Sequence, residues 1–272
     1  MARAVTVTYR VWPGAAELAA AGAEMFASVV SAAVKARGVA RVAISGGNSP
    51  KPMFALLADR SAPYFARVPW DRLHLFWVDE RCVPPTDSES NYRMTNEAML
   101  AHVPLLATQI HRMEGELDPD VAASRYEAAI RTEFRLEGAE TPVFDLVLLG
   151  MGDDGHTASL FPHTEALHEL GRLVVANHVP QKDTWRITLT WPVINRGREV
   201  AFQIEGAAKA QVLHDVFLGA YDPESKPSQL IRPANGKLTL LLDSAAASML
   251  PVPSDAESSA AGSELIATLE LS

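Results

Sequence analysis

The sequence predicts an α/β protein in which a mostly parallel sheet lies between layers of helices, and three observations lead to this prediction. Short apolar runs alternate with segments of helical periodicity along most of the 272 residues. Two of these runs, "RLHLFWV" and "FDLVLLG", are almost continuously apolar, which is typical of parallel strands covered on both faces. Both runs then end in glycine or charged residues, where a strand leaves its sheet.

The predicted elements follow one another in this alternating order. The stretch "VTVTYRVW" alternates apolar and polar residues and predicts a strand, and residues 14–36 carry apolar side chains at helical spacing. "GVARVAISGG" predicts the next strand, and "NSPKPMFALLAD" predicts a helix with prolines near its first turn. Asp118 is the predicted N-cap of a helix in "DPDVAASRYEAAIRTEFRLE". Further strands are predicted in "RLVVANHV", "WRITLTWPVIN", "REVAFQIEG" and "GKLTLLLD", with a helix in "AAKAQVLHDVF".

The domain organisation is predicted to be simple. No internal repeat and no linker divides the chain, which predicts a single domain over residues 1–250. Residues 251–272, "PVPSDAESSAAGSELIATLELS", are rich in Ser and Ala and poor in aromatic residues, which predicts a loosely ordered tail. Within that tail, local docking of "ELIATLEL" is an open alternative.

The charge balance of the chain indicates which kinds of binding partner are disfavoured. The chain has 24 Lys and Arg against 33 Asp and Glu, which gives a formal net charge of −9. This acidic balance argues against nucleic acid or an anionic membrane as a partner and favours a small molecule. It leaves room for a local basic pocket that binds a small anion.

The cysteine count and the apolar runs bear on the compartment. Cys82 is the only cysteine, so no intrachain disulfide can form and a reducing compartment is expected. The first residues lack the apolar core of a signal peptide, and no apolar run is expected to approach the ~20 residues of a membrane helix. We therefore expect a cytoplasmic protein, and the sequence leaves a monomer and a small homo-oligomer equally open.

Three polar segments predict the position of a functional site. "SGGNSP", "WVDERCVP" and "GMGDDGH" each follow a predicted buried strand. In an open parallel sheet, ligands bind in the crevice beyond the carboxyl ends of the strands. The three segments are therefore expected to meet around one ligand.

The first segment, "ISGGNSPKP", has the composition of a phosphate-binding turn. Gly46 and Gly47 allow the backbone to approach a ligand closely, and the free N–H groups at the start of the following helix favour an anion. Ser45 and Asn48 can add hydrogen bonds to that ligand. A tight strand-to-helix turn with no ligand is the alternative interpretation, and the segment alone does not decide between them.

The second segment, "WVDERCVPPTDSESNYRM", carries three charged residues at the end of a buried strand. Arg81 can bind an anion, because its planar set of donors suits phosphate, and Asp79 would orient another polar group near the strand end. The alternative is a structural ion pair within the loop. Cys82 has no evident basic partner and is interpreted as an incidental thiol.

The third segment, "GMGDDGHTASLFP", carries the strongest catalytic signal. Gly150 and Gly152 permit a sharp turn, and His156 is predicted to open a helix, whose N-terminus would keep the imidazole neutral and available as a general base. The group that orients His156 stays open among Asp154, Asp79 and a backbone carbonyl. The neighbouring histidines match no zinc-binding spacing, so no metal site is predicted there.

Two more cations come later in the chain. Arg186 begins the strand in "DTWRITLTWPVIN", and Lys209 lies in the first turns of the helix in "EGAAKAQVL". Each has two interpretations, a solvated surface charge or a residue of the same crevice, and the choice depends on the fold.

Taken together, the five segments resemble one known family. "SGGNSP", "WVDERCVPPTDSESNYRM", "GMGDDGHTASLFP", "RITLTWPVIN" and "EGAAKAQVL" are similar, in this order, to motifs of the glucosamine-6-phosphate isomerase/6-phosphogluconolactonase family, and they are most similar to its lactonases. The resemblance runs from about the first helix to "LLLDSAA". It implies a Rossmann-like three-layer α/β/α fold of the NagB/RpiA-like type, with a mostly parallel central sheet.

The resemblance also implies an activity and roles for particular residues. The implied reaction is hydrolysis of 6-phospho-D-glucono-1,5-lactone to 6-phospho-D-gluconate in the oxidative pentose phosphate pathway, with no metal and no organic cofactor. His156 resembles the family's general base. The residues that match its substrate loop and basic positions are Gly46, Gly47, Asn48, Arg81, Lys209 and Arg186.

Two positions depart from the family pattern. Asn48 stands where many members have Ser or Thr, which bears on the ligand contact of that residue. Glu205 stands where many members have Thr, and it adds a negative charge near Lys209 in sequence.

Two other functions compete with lactone hydrolysis. Glucosamine-6-phosphate deaminases share the Gly-x-Asp-Gly-His pattern but continue with Ile-Ala-Phe-Asn, whereas this chain continues "TASLFP". A non-catalytic sugar-phosphate sensor would carry a DNA-binding helix-turn-helix before this domain. The predicted strand at residues 3–11 leaves no room for one.

Overall fold

The computed structural model describes residues 5–235, 237–251, 257–258 and 265–271 of the chain. The strands are β1 (Val5–Trp12), β2 (Ala40–Ile44), β3 (Leu73–Trp77), β4 (Asp79–Arg81), β5 (Ile110–His111), β6 (Leu146–Leu149), β7 (Val174–Val179), β8 (Thr184–Leu189), β9 (Glu199–Ile204), β10 (Lys237–Asp243), β11 (Glu257–Ser258) and β12 (Leu265–Leu271). The α-helices are α1 (Ala15–Arg37), α2 (Lys51–Ala58), α3 (Asn91–Ala98), α4 (Pro119–Phe134), α5 (Trp191–Ile194) and α6 (Ala210–Leu218).

A central sheet in the order β11-β12-β1-β10-β9-β6-β2-β3-β5 organises the fold. All neighbours from β1 to β5 pair in parallel, whereas β12 is antiparallel to β1 and to β11. The predicted α/β class with a mostly parallel sheet is therefore confirmed. The two antiparallel strands at one edge come from the C-terminal segment.

Alternate residues of the strands form two hydrophobic cores, one on each face of the sheet. On β6, Leu146 and Leu148 pack with residues of α1 and α2, and Val147 and Leu149 pack with residues of α4 and α6. Because successive side chains of a strand point to opposite faces, a strand that is apolar throughout can support helices on both sides. This burial explains why β6 reads as a continuous apolar run.

A second, antiparallel sheet in the order β4-β8-β7 lies beyond the end of β3. The chain passes from β3 to β4 through Val78, whose N–H donates to the carbonyl of Ile44 in the central sheet. β4 then pairs with β8, which places Arg81 opposite Arg186. The sequence predicts the strands β7 and β8 but does not indicate that they form a separate sheet, because no local signal shows where β3 gives way to β4.

The helix α1 corrects one sequence expectation. Over its most apolar 18-residue window its mean hydropathy is 1.4, so by length and composition its 23 residues could cross a membrane. The expectation that no apolar run approaches that length is therefore wrong for this segment. In the structure Leu18, Phe26 and Val30 are fully buried against the sheet, which is the burial of a core helix.

Part of the C-terminal segment belongs to the central sheet. Leu265–Leu271 pairs antiparallel with β1 over its length, with Ala267 buried opposite Tyr9. This is the docked alternative for "ELIATLEL", and it covers β1, which would otherwise be an unpaired edge strand. The division of the chain at residue 250 stays a prediction, and residues 252–256 and 259–264 of the predicted tail lie outside the described residues.

The buried Tyr126 of α4 completes the hydrogen bonding of β3. Its hydroxyl accepts from the N–H of Trp77 and donates to the carbonyl of Trp77, both at 2.9 Å. The short β5 pairs with Leu75 and Phe76 but not with Trp77, so Tyr126 takes the place of a strand partner there. Burial raises the pKa of the Tyr126 hydroxyl, which stays protonated.

We predict that Tyr126→Phe lowers the free energy of unfolding by about 1–3 kcal/mol, because two buried backbone groups lose their partner. Urea denaturation measures this change. Tyr221→Phe is the matched control, because Tyr221 is 50% exposed, and it should change the value by less than about 0.5 kcal/mol. Equal losses in the two variants would contradict the role assigned to Tyr126.

Candidate active site

The loops that follow β2, β4 and β6 line one pocket at the carboxyl ends of the parallel strands, with a volume of about 370 Å³. The structure brings nine of the ten residues named above as catalytic or ligand-binding to this pocket, and these are Ser45, Gly46, Gly47, Asn48, Asp79, Arg81, His156, Arg186 and Lys209. The tenth, Asp154, is not among the residues that line the pocket, but its carboxylate contacts Nδ1 of His156. Arg186 and Lys209 therefore belong to the crevice, which decides between their two interpretations.

Ser45 fastens the glycine loop to the loop that carries His156. Its backbone N–H and its hydroxyl both donate to the carbonyl of Leu148 at 2.9 Å, and the hydroxyl oxygen accepts from the N–H of Gly150 at 3.0 Å. The side chain is buried and engaged on both sides. Ser45 thus joins the two loops through its own hydrogen bonds. The sequence predicts a hydrogen bond from Ser45 to a ligand, and that contact stays a prediction.

The two glycines of this loop are required for different reasons. A Cβ on Gly46 would lie 1.9 Å from Oδ1 of the buried Asn91, so a side chain cannot be accommodated there without displacing Asn91. Gly47 has φ of +95°, in the left-handed region that favours glycine. The backbone of this loop is therefore exposed to a ligand without intervening side chains.

The two acids of "WVDER" have separate surroundings. Glu80 is buried and accepts from the backbone N–H groups of Asn91 and Tyr92, so it caps the N-terminus of α3. Burial raises the pKa of Glu80. Asp79 accepts from the hydroxyl of Ser159 at 2.7 Å and does not contact His156 in the structure. Glu80 is thus structural, and the observed partner of the Asp79 carboxylate is the Ser159 hydroxyl; a role of Asp79 in the reaction stays a prediction.

His156 lies in a turn, and the prediction that it opens a helix is wrong. The turn closes through hydrogen bonds from Gly155 N–H to the carbonyl of Gly152 and from Gly152 N–H to the carbonyl of His156. Gly155 has φ of +85°, and a Cβ on Gly152 would lie 2.1 Å from the imidazole. The helix-dipole argument for a neutral imidazole therefore does not apply.

Asp154 is the acid that orients His156 in the structure. Its Oδ1 lies 2.5 Å from Nδ1 of His156 and also accepts from the His156 backbone N–H at 3.1 Å. One face of the imidazole stacks on Phe161, with 3.9 Å between ring centroids. With Nδ1 engaged, Nε2 is the nitrogen through which this ring can act on a ligand.

The pocket concentrates positive charge in an acidic chain. Arg81 and Arg186 are paired across β4 and β8, and burial together with the charge of Arg81 lowers the pKa of Arg186. Within the described residues neither guanidinium forms an ion pair with a carboxylate, although the charges of Asp79 and Glu89 act to raise the pKa of Arg186. The hydrogen bonds of the two guanidinium groups go to neutral oxygens such as the Glu89 carbonyl and the Thr184 hydroxyl. An anion in the pocket would relieve this repulsion.

Lys209 is neutralised by a residue that the sequence did not single out as its partner. Its ammonium forms an ion pair with the side chain of Asp153. Glu205, the departure from the family pattern, instead has its pKa raised by burial and by the charge of Asp243. The sequence suggests that Glu205 places its charge near Lys209, but the acid that pairs with Lys209 in the structure is Asp153.

The thiol of Cys82 fits its interpretation as incidental. Burial raises its pKa to about 11, so the nucleophilic thiolate is disfavoured at neutral pH.

Comparison with known proteins identifies the family. The family model described as glucosamine-6-phosphate isomerases/6-phosphogluconolactonase matches residues 13–240. The chain belongs to this family. It is 41% identical over 215 residues to a 6-phosphogluconolactonase of Synechocystis, covering 79% of this chain and 86% of the relative. It is 40% identical to a 6-phosphogluconolactonase of Nostoc, covering 90% and 99%.

Solved structures of the family share the fold. The 6-phosphogluconolactonase of Trypanosoma cruzi superimposes with a TM-score of 0.77 at 30% identity, covering 89% of this chain and 96% of that one. A monomeric glucosamine-6-phosphate deaminase reaches a TM-score of 0.72 at 19% identity, which shows the common fold alone.

None of the following polar, charged or aromatic side chains of the pocket was singled out from the sequence. They are Asn91, Ser159, Phe161 and Lys182. Ser159 and Phe161 lie inside the quoted motif "GMGDDGHTASLFP", so proximity to His156 could have indicated them. Lys182 lies in the turn between β7 and β8, and only the second sheet brings it to the pocket.

We predict that the pKa of Asp154 depends on His156. Burial acts to raise it, but the hydrogen bond and charge of His156 lower it to about 2. Because the folded pKa lies below the ordinary value of 3.8, this contact stabilises the fold above about pH 4, and the contribution is lost as the pH falls toward 2. Carboxyl-detected NMR titration should find the depressed pKa in the wild type.

The matched comparison uses two histidine variants. In His156→Ala the pKa of Asp154 should return toward its ordinary range, whereas His168→Ala, which removes an exposed histidine paired with Glu224, should leave it unchanged. A depressed pKa that survives His156→Ala would assign it to another cause.

Proposed function

We propose that this chain hydrolyses 6-phospho-D-glucono-1,5-lactone to 6-phospho-D-gluconate in the oxidative pentose phosphate pathway. The observation that carries the proposal is an imidazole held by Asp154 in the same pocket as the adjacent guanidinium groups of Arg81 and Arg186. Relatives named 6-phosphogluconolactonase at 40–41% identity support it. We further propose that it acts in the cytoplasm on this small-molecule substrate, without nucleic acid or membrane, as a monomer or small homo-oligomer.

The phosphate of the substrate binds at the basic side of the pocket. Arg81 and Arg186 repel each other until an anion lies between their donors, and the planar guanidinium geometry suits phosphate oxygens. Lys182 adds positive charge to the same pocket, and Lys209 lines it as an ion pair with Asp153. Binding the phosphate fixes the lactone ring, so the energy of this remote contact orients the reacting carbon.

His156 acts as the general base. A δ-lactone is an activated ester, so a water molecule guided by one base is sufficient and no covalent nucleophile is needed. Nε2 takes a proton from water as its oxygen bonds to C1, and the imidazolium returns the proton to the ring oxygen as the C1–O bond breaks. Asp154 holds the Nδ1–H tautomer and stabilises the imidazolium between these steps.

The tetrahedral intermediate needs donors for its oxyanion. The exposed backbone of Gly46 and Gly47 and the neighbouring cations supply candidate N–H donors at the same pocket. Asp79 orients Ser159 and Asn91 in the wall of the pocket, so we propose that it is a positioning residue and not an acid-base group.

The activity is tested with freshly generated 6-phosphogluconolactone. Acid release measured by pH-stat should exceed the spontaneous hydrolysis in proportion to enzyme concentration. Glucosamine 6-phosphate is the control substrate, and release of ammonia from it without acid release from the lactone would overturn the proposal in favour of a deaminase.

We predict that His156→Ala lowers kcat by about 10²–10⁴-fold, because one positioned base is typically worth that factor. KM should stay near its wild-type value, since the phosphate contacts remain. Steady-state kinetics measure both constants, and His168→Ala is the control because that ring is 68% exposed. Wild-type turnover in His156→Ala would remove this residue as the base.

We predict that Arg81→Ala raises KM about 10–100-fold with a smaller effect on kcat, because a charge-assisted hydrogen bond is typically worth about 1.5–3 kcal/mol. Arg93→Ala is the matched control, since Arg93 lies 12 residues away on the neighbouring helix and pairs with Glu97. Glucono-1,5-lactone without phosphate separates the effects further. If its KM rises as much as that of the phosphorylated lactone, Arg81 does not bind the phosphate.

A further inference from the structure

Three side chains of types that can bind a metal ion lie close together at the end of the sheet that is opposite the pocket. His74 is the second residue of β3, His111 ends the short β5, and Glu133 lies at the C-terminal end of α4. The catalytic pocket lies beyond the carboxyl ends of the strands, whereas His74 lies at the amino end of its strand. The cluster is therefore separate from the site described above.

The ligand atoms have the spacing of a tetrahedral metal site. Nδ1 of His74 lies 3.0 Å from Nε2 of His111 and 3.3 Å from Oε2 of Glu133, and all three atoms lie within 4.8 Å of one another. Ligand atoms about 2.0–2.1 Å from a tetrahedral zinc ion lie about 3.3 Å from each other. One ion could thus contact all three with small side-chain movements.

The surrounding residues hold these side chains in place. The ring of His111 stacks on Phe76 with 4.2 Å between centroids and an interplanar angle of 6°. Nε of Arg41 donates to Oε1 of Glu133 at 2.9 Å, which leaves Oε2 directed toward His74. Such outer contacts orient metal ligands in known sites. Arg41 also carries a positive charge, which would repel a metal cation. The negative charge of Glu133, with which Arg41 forms an ion pair, offsets this repulsion.

The donor set selects a class of ion. The close approach of the two imidazoles requires that one ring nitrogen accept, so the pair is not doubly protonated in this arrangement. Two imidazoles and one carboxylate suit zinc and cobalt better than magnesium or calcium, which prefer oxygen ligands. The side chains of His74 and Glu133 are 23% and 19% exposed, so water can reach a fourth coordination position.

We infer that His74, His111 and Glu133 bind one zinc ion, or a divalent ion of the same class, that fastens β5 and the end of α4 to β3. β5 contributes only two residues to the edge of the sheet, so its backbone pairing alone is short. The ion would join three elements that are distant in sequence. Its role is structural and does not depend on the reaction in the pocket.

The test uses the full chain without a histidine tag, stripped with EDTA and gel-filtered. Titration with zinc by calorimetry should give one ion per chain, and cobalt should give the visible absorption bands of a tetrahedral site. His74→Gln and Glu133→Gln each remove one ligand while keeping a polar side chain, and the amide oxygen introduced by Glu133→Gln can still accept from Arg41. Each should weaken zinc binding at least about 10-fold, since even outer contacts are worth about 10–100-fold.

Two controls locate the ion. His156→Asn removes the histidine of the pocket and should leave the one-to-one zinc binding unchanged. Circular dichroism should show that the two ligand variants fold, and both should keep lactone hydrolysis, because neither residue lies in the pocket. Anomalous diffraction at the zinc edge decides the position in the wild type even where a variant fails to fold. A peak between the three side chains supports the inference. Stoichiometric binding that His156→Asn abolishes, or no zinc binding at all, would overturn it.

Discussion

The site depends on the hydrogen bonds of Ser45, which join the ends of two neighbouring parallel strands. The hydroxyl donates to the carbonyl of Leu148 and accepts from the N–H of Gly150, so it ties the loop after β2 to the loop after β6. The first loop presents the bare backbone of its two glycines, and the second carries His156. Because Ser45 is buried, these hydrogen bonds help to set the spacing between the glycine backbone and the loop that carries His156.

The second requirement is the change of sheet after β3. Through Val78 the chain leaves the central sheet and pairs with β8, and this brings Arg81 beside Arg186. The burial of Glu80 belongs to the same arrangement, since its carboxylate caps α3 and holds the loop that follows β4. The charge cluster "DER" thus separates in the structure into an acid that caps α3, Glu80, and a cation that lines the pocket, Arg81.

The fold class and the position of the site could be predicted from the sequence, because both follow from local patterns such as the apolar run of β6 and the polar residues after it. The group beside His156 could not, because Asp154, Asp79 and a backbone carbonyl are all open in the sequence and only the turn at Gly155 decides among them. Other features needed contacts between distant segments. Lys182 reaches the pocket only through the second sheet, and Leu265–Leu271 joins the central sheet by pairing with β1. Sequence periodicity reports which face of an element is buried, but not which other element covers it.

The two ends of the sheet differ in how charge is balanced, and this difference favours the carboxyl ends as the proposed anion site. At the amino ends, buried Asp145 pairs with Arg37 at 2.6 Å. At the carboxyl ends, Arg186 is buried beside a second guanidinium, and its pKa is lowered as a result. Desolvated like charges cost free energy until a counter-charge is supplied. In a chain of net charge −9, acids are abundant, yet Asp79 is engaged by a serine hydroxyl and Glu80 by α3. Within the described part of the chain neither carboxylate forms an ion pair with Arg81 or Arg186, although the charge of Asp79 acts to raise the pKa of Arg186. An anionic ligand would add counter-charge beside these two cations.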